Sequence, residues 1–98
     1  MRCGSYLFIS GQLPIDPKTG NFAGNDIFYR RPNNPLNNLK AIVKAANIGL
    51  QNVVKVNVFL ANMDDFASMN SVYAKFFTED CPAREVVQIA RLPKDALV

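Results

Sequence analysis

Between Leu36 and Leu92 the hydrophobic spacing changes period three times. Leu36, Leu39, Ile42, Val43 and Ala46 recur at helical spacing, with Asn37, Lys40 and Lys44 outside the stripe. The stripe predicts a helix that ends near Asn47 to Gly49, where residues tolerant of left-handed backbone follow it. "NVVKVNVFLAN" then alternates: Val54, Val56, Val58 and Leu60 face one way, Lys55, Asn57 and Phe59 the other. That period predicts a strand. "MDDFASMNSVYAKFFTED" returns to helical spacing through Phe66, Met69, Val72, Tyr73, Phe76 and Phe77, and Asp64 or Asp65 is expected to cap the helix. "AREVVQIARL" reads as another strand.

Upstream, "SYLFISGQLPI" reads as a strand, with Leu7, Ile9, Gly11 and Leu13 on one face and Tyr6, Phe8, Ser10 and Gln12 on the other. Asp16 to Gly20 reads as a turn, in which Pro17 sets φ and Gly20 can take positive φ. Pro32 and Pro35 exclude a regular helix interior between Asn21 and Pro35. The order is β, turn, α, β, α, β. The 98 residues are expected to form one α+β domain, a sheet with two helices packed on one face. The strands carry apolar residues on both faces, as with Phe8 beside Ile9 and Phe59 beside Val58. The face away from the helices therefore needs a second cover, and another subunit is the expected one.

The chain contains no histidine. That removes Ser-His and Cys-His nucleophile pairs, histidine-ligated metals and imidazole acid–base work. Chemistry must run on Arg, carboxylate, Tyr, Ser, Cys or backbone groups. Cys3 and Cys81 are isolated from one another, without the spacing of a zinc site or the density of a disulfide scaffold. They predict a reducing, cytoplasmic setting. The net charge is +3, but the basic residues are scattered, with Arg30 and Arg31 the one adjacent pair. Nucleic-acid binders more often show a basic stripe with interleaved aromatics, so nucleic acid is not the expected partner. No apolar run approaches the ~20 residues of a membrane span. The opening "MRCGSYLFISG" does not read as a signal peptide.

Four positions stand out as candidates for chemistry. Arg84 follows Pro82 at the mouth of the last strand, and its neighbour Glu85 points to the opposite face. A guanidinium fixed there suits a planar carboxylate through two parallel N–H···O bonds. The plainer reading is a surface arginine paired with a neighbour. Ser10 and Gly11 lie within the first strand, where a glycine marks a bulge, a close approach or a plain bend. Asn70 lies on the second helix beside its apolar stripe, and the plainer reading is a solvated polar residue. Cys81 has no basic neighbour placed to activate it and is not read as a nucleophile. Asp64 and Asp65 read as a cap and not as a catalytic dyad.

"FISGQLPIDPKTG", "NLKAIVKAA", "VVKVNVFLANMDDFASMNSVYAKFF" and "PAREVVQIARLPKDALV" together resemble the RidA/YjgF family of reactive imine deaminases, also described as the L-PSP endoribonuclease family. The resemblance runs from about Gly4 to Val98 and is poorest from Phe28 to Pro35. It implies an α+β, chorismate-mutase-like subunit that forms a homotrimer, sheets inward, with active sites between subunits. It implies a small imino or keto acid as partner, no cofactor and no metal. The expected reaction is hydrolysis of 2-aminoacrylate or 2-iminopropionate-type intermediates to 2-keto acids and ammonia.

Position by position, the resemblance puts the catalytic, substrate-binding arginine on Arg84, the pocket's serine and glycine on Ser10 and Gly11, and its asparagine on Asn70. The family pattern also has an N-terminal tyrosine and a C-terminal glutamate that fall outside these residues, and Val86 stands where a cysteine is frequent. By that measure the domain is expected to be cut short at both ends. Two alternatives stay open beside the deaminase. One is a module that binds small carboxylates with little turnover. The other is an L-PSP-type endoribonuclease or translation inhibitor.

Overall fold

The computed structural model describes residues 1–16, 18–20 and 35–98. The expectations for Pro17 and for the stretch from Asn21 through Pro32 lie outside the described residues. The first helical stripe folds as helix α1, Pro35–Ala45, with Leu36 and Val43 buried. Proline opens it at a position whose N–H would have no intrahelical partner. The helix stops as its sequence predicts. Asn47 takes φ 60, the amide of Ile48 bonds the carbonyl of Val43 at 3.0 Å, and that of Asn47 bonds Lys44 at 3.0 Å. These two bonds are the Schellman pattern, which uses carbonyls the helix leaves over.

The alternating stretch forms strand β3, Lys55–Leu60, and the chain then returns through helix α2, Phe66–Phe76, to strand β4, Ala83–Gln88. Strands β3 and β4 pair in parallel, with Val56 opposite Arg84 and Val58 opposite Val86. Val56, Val58, Leu60 and Val86 face a core shared with Leu36 and Leu39 of α1 and Met69, Val72, Tyr73 and Phe77 around α2. Leu60 and Met69 are fully buried. The opposite face carries Lys55, Asn57, Phe59, Glu85 and Val87 and is exposed. There Lys55 and Glu85 form an ion pair at 3.2 Å.

Four sequence expectations need correction. The strand read over Ser5 to Ile15 is regular only at Tyr6–Leu7, strand β2, which forms a hairpin with strand β1, Arg2–Cys3. The ladder closes with Met1 and Phe8: the N-terminal ammonium of Met1 donates to the Phe8 carbonyl at 2.6 Å, and the Phe8 amide donates to the Met1 carbonyl at 2.7 Å. Beyond Phe8 no described segment offers a partner, and Pro14 lacks an N–H to donate. The strands also form two separate pairs among the described residues, and not one sheet. The N-terminal stretch is tied to the helical layer by Asn38 of α1, whose side-chain amide donates to the carbonyls of Leu13 and Ile15 at 3.0 and 3.1 Å, and by Arg2, whose Nη2 donates to the Ala46 carbonyl at 2.9 Å.

The cap of α2 is the third correction. A short 3-10 turn, Met63–Asp65, precedes the helix, and the side chain of Asn62 accepts the Asp64 amide at 2.9 Å. Asp65 makes no side-chain capping bond. Asn62 reaches that amide from an extended backbone, which is the geometry a capping side chain requires. The last strand also stops at Gln88, before the predicted Leu92. The Asp16–Gly20 turn is present, with Gly20 at φ 71 and its amide bonded to the Asp16 carbonyl at 2.8 Å. At the far end Leu92, Ala96 and Val98 are buried, and the Ala61 amide bonds the Leu97 carbonyl at 3.0 Å. The tail thereby closes the core beside β3.

Candidate functional site

Alternation along β4 sends Arg84 to the inner face and Glu85 to the outer one. Glu85 is taken up by Lys55 there. Arg84 instead meets the face of α2 that carries Phe66, Asn70, Tyr73 and Phe77, spaced four, three and four residues apart, so that they line one side of the helix. Its Nη1 donates to Asn70 Oδ1 at 2.7 Å. Its guanidinium carbon lies 4.6 Å from the centre of the Tyr73 ring and 5.7 Å from that of Phe66. A partly desolvated cation over aromatic faces gains ~0.5–2 kcal/mol. Together these contacts hold the head group in one place.

They do not neutralise it. The partner is an amide oxygen, which orients the guanidinium without cancelling its charge. Among the described residues no carboxylate forms an ion pair with Arg84, and its other N–H groups have no hydrogen-bond acceptor. A half-buried cation with donors to spare is a receptor for an anion. Beside it opens a cleft of about 280 Å³ lined by Asn70, Tyr73, Ala74, Phe77, Cys81, Pro82 and Arg84. Its size suits a ligand of few atoms, since drug-sized sites take ~300–1,000 Å³.

Tyr73 is 6% exposed, and its hydroxyl is buried without a hydrogen-bond partner among the described residues. Burial pushes its ionisation above the ordinary value of 10.0; the Arg84 cation pulls the other way and the Cys81 thiol adds to the rise. The group is therefore a neutral donor at physiological pH. Cys81 is free and exposed at the rim, with its Sγ 3.4 Å from the Phe77 carbonyl.

Of the four positions singled out from sequence, Arg84 and Asn70 are in direct contact. Ser10 and Gly11 are exposed on the stretch after β2 and do not line the cleft. A Cβ added at Gly11 would meet nothing within 4 Å, so no described atom of this chain requires glycine there. The sequence reading missed Tyr73 and Phe66, which it assigned to the core stripe. Their spacing from Asn70 was the available signal, because residues on one helix face share a neighbour. Among the described residues no group of three His, Cys, Asp or Glu side chains could hold a metal ion. No described helix is long and apolar enough to cross a membrane.

Residues 1–98 match the family described as Endoribonuclease L-PSP. A RutC family protein of Pyrococcus horikoshii is 50% identical over 98 residues, covering 100% of this chain and 77% of the relative. A 2-iminobutanoate/2-iminopropanoate deaminase of Salmonella typhimurium is 45% identical, covering 97% of this chain and 75% of the enzyme. Among solved structures, RidA from an Antarctic Psychrobacter superposes with a TM-score of 0.89 at 39% identity, over 99% of this chain and 77% of that one.

Proposed function

The chain belongs to the Endoribonuclease L-PSP family, and from that premise we propose that it hydrolyses small 2-imino acids and their enamine tautomers to 2-keto acids and ammonia. The observation that carries this reading is Arg84, a cation oriented by Asn70 and two aromatic rings, with donors unused, at a cleft of small-molecule size. The substrate class follows from relatives named as 2-iminobutanoate/2-iminopropanoate deaminases at 45% and 42% identity.

In this reading the guanidinium receives the substrate carboxylate through paired N–H···O bonds. That fixes the adjacent C=N carbon over the apolar wall formed by Phe77 and Pro82. Water adds to this carbon, the nitrogen takes up protons, and the C–N bond breaks to leave a C=O group and ammonia. Arg84 contributes by positioning a non-reacting end of the substrate. The neutral Tyr73 hydroxyl beneath it adds no competing charge.

Three copies are proposed to assemble through the exposed face of β3 and β4, with sites shared between subunits. The apolar residues Phe59 and Val87 on that face, each 45% exposed, support it. Ser10 and Gly11, exposed and away from their own chain's cleft, are free to line a neighbour's.

The test couples the protein to a dehydratase acting on serine or threonine and follows keto acid and ammonia. Release should accelerate with micromolar protein, and Arg84→Ala should abolish the gain. No acceleration, with 2-ketobutyrate still raising the melting temperature of the wild type, would instead support the binding-only reading. RNA cleavage that survives Arg84→Ala would point away from this cleft altogether.

A further inference from the structure

Two restraints hold the stretch between strand β2 and the Asp16–Gly20 turn, and its exposed tip lies between them. The first is the β1–β2 hairpin, which ends where the Phe8 amide donates to the Met1 carbonyl at 2.7 Å. The second is Asn38 of α1, whose Nδ2 donates to the carbonyls of Leu13 and Ile15 at 3.0 and 3.1 Å. We infer that Asn38 is a positioning residue, which sets from the helical layer where the Ser10–Gly11 tip of one chain stands in a neighbour's cleft. The inference rests on the shared-cleft part of the reading above and not on the reaction assigned there.

Three observations carry it. The clamp uses one whole group, since a side-chain amide has two N–H donors and this one bonds two carbonyls of the same stretch. It also grips a backbone that is already tight. The Ile15 amide donates to the Leu13 carbonyl at 2.7 Å across Pro14, which is a γ-turn, and proline holds its φ near the value the inverse γ-turn needs. Leu13, Pro14 and Ile15 are therefore fixed to α1 as one piece. Second, the tip has little else to hold it. Among the described residues the backbone amides of Ile9, Ser10, Gly11 and Gln12 have no acceptor, and the bond within the tip is an exposed one, from Gln12 Nε2 to the Ser10 carbonyl at 3.2 Å. Gly11 lies two residues before Leu13, within about 7 Å of chain, so the clamp sets its place. Third, Gly11 is not at positive φ, and a Cβ built there meets nothing within 4 Å. Close approach by another backbone or a ligand is the kind of reason that remains for a glycine in such a stretch, and a neighbouring chain supplies it.

Asn38 touches neither Arg84 nor the cleft lining, so it acts only through the tip. Asn38→Asp keeps the shape of the side chain but sets a carboxylate against two carbonyl oxygens, and the clamp opens. A displacement of about 1 Å in a group that lines a site can cost up to ~10²-fold in rate, even when the substitution is far from the reacting atoms. The loss falls in the cleft that receives the tip, which belongs to the neighbour, and not in the cleft of the chain that carries the substitution.

The experiment makes Asn38→Asp and Arg84→Ala separately and then co-expresses them, so that the two chains mix within one assembly. Alone, Asn38→Asp should lower kcat/KM about tenfold or more in the coupled dehydratase assay, and Asn38→Gln, whose longer stem keeps both donors, should recover part of the loss. In the mixture, a cleft that takes Arg84 from the Asn38→Asp chain and its tip from the Arg84→Ala chain has both parts intact. Random mixing makes about a quarter of the clefts this way, so activity should return to about a quarter of the wild type. A role of Asn38 inside its own chain repairs no cleft, and the mixture then stays at the average of its two parents. That result overturns the proposal, as does an Asn38→Asp protein equal to the wild type. Asn38→Ala, which removes the donors without adding a charge, takes the place of Asn38→Asp if the latter does not assemble. If the wild type turns nothing over, the deaminase reading fails, and the same mixture is read by 2-ketobutyrate binding, where about a quarter of the sites should regain wild-type affinity. A wild type that does not bind 2-ketobutyrate either removes the cleft, and the proposal with it.

Discussion

Arg84 and its three contacts decide what the cleft can bind, and each contact can be removed by itself. Arg84→Lys keeps the charge but loses the planar fork and the stacking on Tyr73. We expect kcat/KM to fall about 10–100-fold, equivalent to ~1.4–2.7 kcal/mol, in a coupled assay with a serine dehydratase. Asn70→Ala frees the guanidinium without touching the reacting carbon. KM should therefore rise about tenfold with kcat little changed, because hydrogen bonds to charged groups are worth ~1.5–3 kcal/mol and this one acts on binding alone. A fall in kcat with KM unchanged would show that Asn70 acts on the chemical step instead. Tyr73→Phe retains the ring and removes the orphan hydroxyl, so the melting temperature at neutral pH should rise, by roughly 4–8 °C per kcal/mol gained.

The same tyrosine predicts an alkaline limit. Burial holds its ionisation above 10.0 in the fold. Below pH 10 both folded and unfolded chains keep the proton, and the tyrosine makes no pH-dependent difference. As pH rises past 10 the unfolded chain ionises first, so stability is lost progressively until the folded value is passed. Urea midpoints at about pH 9 and about pH 11 should diverge more in the wild type than in Tyr73→Phe. An equal decline in both would mean that another group sets the limit. The contact between Arg84 and Asn70 was not legible from the residues alone, since each had a plainer surface reading and only the family resemblance put both in one pocket. Nor was Tyr73, because one aromatic at stripe spacing packs the core and floors the site at once.

At the scale of elements, the periods of the sequence carried α1, β3, α2 and β4, since each buries one face and burial imposes a repeat. Two features escaped it. The stretch from Ser10 to Pro14 has the apolar content of a strand, but a strand exists only where another backbone completes its ladder, and that partner is not written in the stretch itself. At the start of α2 the sequence reading weighed only Asp64 and Asp65 as caps and passed over Asn62, which caps the 3-10 turn that leads into the helix. The structure assigns the bond to Asn62. Asn62→Ala should cost about 1 kcal/mol, measured by urea unfolding, whereas Asp65→Ala should cost less, because its side chain caps nothing. Equal losses in the two variants would return the cap to the aspartate. Gln88 adds to the same junction, its Oε1 accepting the Met63 amide at 2.8 Å, so that β4 itself helps to fix where α2 begins and hence where Asn70 and Tyr73 point.

At the scale of the whole molecule, the β3–β4 pair has one face against the helices and one on which no described element packs. Val56, Val58 and Leu60 are turned inward, while Phe59 and Val87 remain 45% exposed on the other side. A parallel pair is normally covered on both faces, because its crossover takes one side and its apolar alternation calls for a partner on the other. A second copy would supply that partner without any further element. The expectation is a particle of about three times 10.9 kDa by light scattering at micromolar concentration. Phe59→Glu places a charge in the middle of the face and, because Phe59 lies outside the core, should leave the fold intact. It should therefore yield monomers with unchanged far-ultraviolet dichroism. Should those monomers lose deamination while retaining 2-ketobutyrate binding through Arg84, the neighbouring subunit contributes to turnover. Should they retain both, each chain's cleft works alone, and Ser10 and Gly11 have no part in it. A wild-type protein that stays at 10.9 kDa would leave the exposed face without a second copy to cover it and defeat the trimer.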